Sequence, residues 1–137
     1  MGNEQSQAPL VVVAAAIVTD RGLLLVSKRV APDVFYLPGG KPEPGEADEA
    51  CLAREVAEEL DASVETSSLF TLVSCVAALE GTPMEMTVYL VTLDREPRAA
   101  SEIAALDWFS PHRPFTGVLA PAVTDYVVPA LVAARAL

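Results

Sequence analysis

The chain predicts an α/β/α sandwich built on a mixed β-sheet. Valine- and leucine-rich segments of strand length pair off around short turns, one helical pattern precedes the second of these hairpins, and another closes the chain. Residues 10–19 and 23–29 read as strands joined by the turn Asp20-Arg21-Gly22. Residues 34–37 form a short strand entering the loop 37–45, where glycines permit positive φ and prolines stiffen the path. After the first helix come strands 69–79 and 84–93 around the turn Glu80-Gly81-Thr82-Pro83, then a short strand at 105–109. The closing helix occupies much of 118–134, with Pro121 near its start and Pro129 breaking or kinking it. With no repeat or linker visible, residues 1–137 read as one domain, of which 1–8 are a flexible leader. The leader Met1-Gly2-Asn3-Glu4-Gln5-Ser6 fits a myristoylation pattern in form, but no basic tract supports it.

Composition narrows the function classes. Nine basic against nineteen acidic residues give a net charge of −10, which argues against nucleic-acid polymers as partners. The longest apolar run, residues 10–18, is too short to span a bilayer. Cys51 and Cys75 are the only cysteines and no secretory signal is seen, so a reducing cytoplasm without a disulfide is the expectation.

The chemistry concentrates in residues 40–62. In a helix, Glu55, Glu58 and Glu59 stand at i, i+3 and i+4, which puts three carboxylates on one face. Such like charges repel unless a cation is held among them. Oxygen donors without nitrogen or sulfur suit Mg²⁺ or Mn²⁺, which keep several waters and bridge carboxylates to phosphates. The plainer reading, a solvated acidic face, fits less well because Arg54 is the helix's single cation. Leu52, Val56, Leu60, Ala53 and Ala57 supply an apolar stripe expected to pack on the sheet, opposite the acids. Asp48 and Glu49 complement the dipole of the first turn, and Cys51 reads as a small filler.

Read in full, the stretch is Gly40, five residues, Glu46, seven residues, then Arg54-Glu55-Val56-Ala57-Glu58-Glu59-Leu60-Asp61-Ala62. It resembles the signature of the Nudix hydrolases, G-x5-E-x7-R-E-U-x-E-E-x-G-U, with U an aliphatic residue. The match is complete through Glu59 and departs at Asp61, where the pattern has glycine, and at Ala62, which is small for its place. Aspartate tolerates the left-handed position past a helix end better than most residues, so the departure bears on stability more than on chemistry.

The resemblance implies an α/β/α Nudix fold and hydrolysis of a diphosphate linkage in a nucleotide substrate. It implies Glu55, Glu58 and Glu59 as metal ligands, Arg54 as the residue that orients them, and the loop Gly39-Gly40-Lys41 as a phosphate contact. Glu55 and Glu58 are the box acids expected to be catalytic. A further carboxylate often joins from outside the box. Glu102 is the first candidate, because Ser101-Glu102-Ile103-Ala104-Ala105-Leu106-Asp107-Trp108 is similar to the family's glutamate-then-tryptophan stretch; Glu80 and Glu85 are rivals, and a plain surface role for Glu102 stays open. Arg29 resembles an arginine that holds a phosphate, with a strand-end surface charge as its alternative. Phe35, Leu37, Met84 and Met86 are candidates to line a base pocket or to fill the core.

The chain looks most like the mutator-type branch, which hydrolyses nucleoside triphosphates to monophosphate and pyrophosphate. That branch can read oxidised guanine with an asparagine late in the chain, and Asn3 is the sole asparagine here. ADP-ribose and dinucleoside polyphosphates are alternative substrates, and a non-catalytic nucleotide-binding Nudix module is an alternative class. Expected partners are Mg²⁺, with Mn²⁺ as substitute, a small nucleotide, and a second copy in a homodimer, with neither nucleic-acid polymer nor membrane.

Overall fold

Strand β1 (Leu10–Ala16) lies where the two halves of the core meet, and its sequence shows why. Val13 and Ala15, with Ile17 just beyond, face one apolar cluster, while Ala14 and Ala16 face the other. A strand buried on both faces reads as a continuous apolar run rather than an alternation. The structure, a computed structural model, describes residues 8–77 and 79–137, so the leader expected over 1–8 lies, but for Ala8, outside the described residues.

In the first sheet β1 pairs antiparallel with β5 (Gly39–Gly40) on one side and parallel with β7 (Pro83–Leu93) on the other. β6 (Val64–Val76) forms the outer edge, antiparallel to β7. The second sheet runs β2 (Val18–Thr19), β3 (Gly22–Lys28), β4 (Ala31–Tyr36), β9 (Val118–Leu119), and β8 (Ile103–Phe109) pairs antiparallel with β3. Helix α1 (Asp48–Leu60) covers one side through Leu52, Val56 and Leu60, packed on Val13, Ala15, Leu24 and Val26. The C-terminal helical segment covers the other through Val123, Val127 and Leu131, against Leu23, Leu25 and Val88. Each of these fully buried leucines and valines contributes about 1.5–3 kcal/mol. The α/β/α sandwich with mixed pairing is thus as the sequence predicts.

Several boundaries differ, for physical reasons. The first strand ends at Ala16 and resumes as β2 after Ile17. The pair Gly39–Gly40, read as loop, is a short strand on β1: glycine has little strand preference, and the pairing is imposed by the neighbouring strand. β6 starts at Val64, five residues earlier than expected, because Thr66 to Ser68 are polar and exposed yet paired along β7. Residues Val118–Leu119 pair with β4 instead of opening the final helix. Pro129 does not break that helix. A π-helical turn, Val123–Val127, precedes α2 (Val128–Ala133), and the wider turn accommodates the proline at the start of α2.

α1 corrects one expectation and meets another. Ala53 and Ala57 are exposed, because the sheet covers only the stripe through Cys51, Leu52, Val56, Glu59 and Leu60. Asp61 takes the left-handed conformation past the helix end, φ 52° and ψ 45°, and its carboxylate pairs with Arg98. We expect Asp61→Gly to change stability by less than about 1 kcal/mol, since relief of the backbone offsets the lost ion pair, whereas Asp61→Val loses about 1–2 kcal/mol. Urea unfolding of the two variants checks this, and equal stabilities would contradict it.

Candidate functional site

The helix, the glycine strand and the loop between them are tied together by Arg54. Its Nε and Nη2 donate to the two oxygens of Glu46 at 2.9 and 2.8 Å, a bidentate pair, while Nη1 donates to Glu55 Oε2 at 2.9 Å. Nη2 also reaches the Lys41 carbonyl at 3.1 Å. Glu46 in turn accepts the backbone N–H of Glu43 at 2.9 Å, which closes the loop on itself. The Arg54 guanidinium, aided by that N–H, holds the Glu46 carboxyl down to about 2. Glu58 touches this cluster only loosely, its Oε1 lying 3.7 Å from Arg54 Nη1 on a largely exposed side chain. The helix start is fixed to the sheet by Tyr89, whose hydroxyl donates to Asp48 at 2.9 Å.

Glu59 is the outlier among the acids. It is 4% exposed, and its Oε1 accepts the Gly39 N–H at 3.0 Å. Burial pushes its carboxyl up to about 7, the charges of Glu55 and Glu102 add to this, and the Gly39 hydrogen bond and Lys28 oppose it. Burial also raises the Glu55 carboxyl, against the pull of Arg54. Gly40 lies so close to Glu55 that a Cβ there would collide with the carboxylate, and one on Gly39, at φ 151°, would meet the Val13 carbonyl. Cys51 fills the space behind, its thiol 3.7 Å from the Gly40 carbonyl and pushed up to about 11 by burial.

These groups open onto a cavity of about 320 Å³. Glu55, Glu59, Glu102, Lys28, Gly39, Gly40 and Lys41 are among its lining residues. Val76, Leu79, Met84 and Met86 also line it, as does Glu80. Glu58, Glu85 and Arg29 are outside this lining, and Arg29 is exposed. Phe35 also lies outside it, edge-on to Phe115 in the core. Two residues were not singled out by the sequence. Lys28 stands with Nζ 3.5 Å from Glu102 and 5.9 Å from the Tyr36 ring, and Tyr36 lines the cavity beside it. A basic residue next to Arg29 was visible in the sequence, but a β-bulge between Ser27 and Lys28 upsets the alternation that would have said which one faces inward.

The donor set fits a hard divalent cation. Glu59 is a buried carboxylate with one hydrogen bond and like-charged neighbours, a position short of positive charge. Among the described residues no three His, Cys, Asp or Glu side chains stand close enough to enclose one ion. Such an ion would take two carboxylates and complete its shell with water and phosphate oxygens, as Mg²⁺ commonly does.

The description NUDIX domain matches residues 9–127, and the chain belongs to that family. It is a Nudix hydrolase, a class of enzymes that act on phosphoric anhydrides in small nucleotides and use divalent metal ions. The chain is 38% identical over 125 residues to a Mycobacterium tuberculosis protein described as "Putative 8-oxo-dGTP diphosphatase 2", covering 80% of this chain and 87% of that one. The fold is similar to a MutT NUDIX hydrolase from Burkholderia pseudomallei, with TM-score 0.73, 31% identity and coverage of 92% and 98%. It is similar also to the E. coli ORF135 protein, with TM-score 0.73, 29% identity and coverage of 98% of both chains. No helix among the described residues is long and apolar enough to cross a membrane.

The close fit of Gly40 against Glu55 gives a direct test. Gly40→Ala should displace that carboxylate and cut nucleotide hydrolysis at least about tenfold. Gly45→Ala, at φ 76° with nothing within 4 Å of the added Cβ, should cost about 1 kcal/mol and leave the rate within about twofold. Steady-state rates of both variants, with urea unfolding, check this; equal rates would sever Gly40 from the acids.

Proposed function

We propose that this chain is a Mg²⁺-dependent nucleoside triphosphate diphosphatase, releasing a nucleoside monophosphate and pyrophosphate, with Mn²⁺ able to substitute. One observation carries the reading: one cavity of about 320 Å³ is lined both by carboxylates and lysines, Glu55, Glu59, Glu102, Lys28 and Lys41, and by apolar side chains that suit a base. The similarity to MutT-type proteins supports the same branch. The reading is a cytoplasmic, one-domain enzyme, in keeping with two free cysteines among the described residues.

Glu55 and Glu59 would hold the ion; Glu102, first read as a further ligand, lines the same cavity 3.5 Å from Lys28, and Glu58 lies outside the lining. Bound there, the ion supplies charge neutralisation on the diphosphate and a more acidic water. Arg54 keeps Glu55 aimed at the cavity and cancels part of the crowding among Glu46, Glu55 and Glu58. Gly39 and Gly40, which line the cavity, let β1 and the Glu55 carboxylate pack directly on the backbone there, and the Gly39 N–H fixes Glu59. Lys28 and Lys41 carry the positive charge available to the phosphates, with Lys28 taking the part first assigned to Arg29. The apolar wall excludes water from the base and orients the chain of phosphates toward Glu55. Among the described residues the cavity lining includes no amide side chain.

Hydrolysis of a panel of ordinary, oxidised and modified nucleoside triphosphates, ADP-ribose and dinucleoside polyphosphates should show pyrophosphate release from triphosphates with Mg²⁺ or Mn²⁺ and none with EDTA. Phosphate release from ADP-ribose after phosphatase coupling, with triphosphates inert, would move the enzyme to another branch. Glu59→Gln should keep the fold and lower turnover by a factor on the order of 10² or more. Undiminished turnover would mean the acids are misassigned.

A further inference from the structure

The outer edge of the first sheet is β6, 13 residues long, with no strand on its far side among the described residues. A long bare edge offers a row of unpaired N–H and C=O groups to another chain, and edges are commonly blunted by lysine, proline or inward-pointing charge. Val64–Val76 has no lysine and no proline, and Glu65, near one end, is its one charged residue. The middle of the strand is apolar and bare: Leu69 is 62% exposed and Leu72 is 73% exposed. A β-bulge after Leu69 sets the two on one face, since Leu69 stands opposite Tyr89 and Leu72 opposite Thr87, which are two residues apart on β7. It is the face on which Tyr89 meets Asp48 of α1, and the helix leaves both leucines uncovered.

We propose that β6 is the surface through which two copies of this chain pair, edge to edge and antiparallel about a twofold axis, so that their first sheets run on as one. The pattern of the strand selects a second copy over an unrelated segment. An axis between Phe70 and Thr71, within one residue of the middle of β6, sets Leu69 of each copy opposite Leu72 of the other, so the bare apolar pair covers itself. The same register sets Glu65 opposite the apolar Val76, and the two Glu65 carboxylates come to opposite ends of the interface. A parallel arrangement would put them side by side, where like charges destabilise. Charge also restricts where two copies can meet. Each chain has a net charge of −10, so they repel over much of their surface, whereas residues 66–76 bring no charge to the contact. An edge of this length extends about 40 Å, long enough for the roughly 800 Å² per partner that a stable pair buries. Leu69 and Leu72 are outside the cavity lining, and the inference does not rest on the nucleotide reading.

Sedimentation velocity of the full chain, from low to high micromolar concentration, tests the pairing. The parent should shift from the mass of one chain to that of two. Leu72→Lys puts a charge at the centre of the contact and keeps the fold, because the side chain is exposed in the single chain; it should weaken the pairing at least about tenfold. Val30→Lys changes a side chain that is 85% exposed in the turn between β3 and β4, and should pair as the parent does. Thermal unfolding of dilute samples should show both variants folded, and their rates of nucleotide hydrolysis should stay within about twofold of the parent's. A parent that sediments as one chain at every concentration overturns the proposal. So does a pair that survives Leu72→Lys undiminished, or one that Val30→Lys disrupts as strongly.

Discussion

The structure depends on one charge arrangement: a single guanidinium, Arg54, set among Glu46, Glu55 and Glu58 at the junction of loop and helix. Without it, acids on α1 and in the loop would repel across a few ångströms of partly buried space. With it, the loop is drawn onto the helix, and the Lys41 carbonyl and the Glu43 N–H are brought into the same network. Glu55 is thereby turned toward the cavity and Glu58 is left at the edge. Arg54 is the positive charge the fold provides for this cluster; Glu59 lies beyond its hydrogen bonds, with the Gly39 N–H as its one donor.

That division explains how rigid framework and reactive acid coexist on one helix. Leu52, Val56 and Leu60 anchor α1 on β1 and β3, so the backbone that carries the acids is packed against the sheet. The glycine pair on β1 comes close enough to pack directly on Glu55 and to donate to Glu59. Apolar residues from β6 and β7, Val76, Met84 and Met86, then complete the cavity, on strands other than the helix that carries Glu55 and Glu59. Substrate preference can change on the β6–β7 wall without disturbing the acids, a separation of the kind that lets one fold serve many substrates.

What the sequence made legible follows from how local each feature is. The helix carrying the acids, its dipole-matched first turn and the left-handed Asp61 all depend on residues within a few positions of one another, and all are found. The double-sided burial of β1 was visible as an unbroken apolar run. Features made by distant partners were not legible. Gly39–Gly40 becomes a strand only because β1 lies beside it, and Glu59 becomes buried only because the sheet covers that side of α1. Lys28 faces the cavity where Arg29 does not, through a bulge that no periodicity announces.

Glu55 and Glu59 are proposed together to make an oxygen site for a divalent ion, with the Gly39 N–H as the one hydrogen-bond donor to Glu59 in the protein alone. Binding of Mn²⁺, followed by electron paramagnetic resonance of the free ion in the absence of nucleotide, tests it most directly. Saturable binding by the parent protein is expected, falling at least about tenfold in Glu55→Gln and in Glu59→Gln, and less in Glu58→Gln. Equal Mn²⁺ affinity in the parent, Glu55→Gln and Glu59→Gln proteins would contradict it.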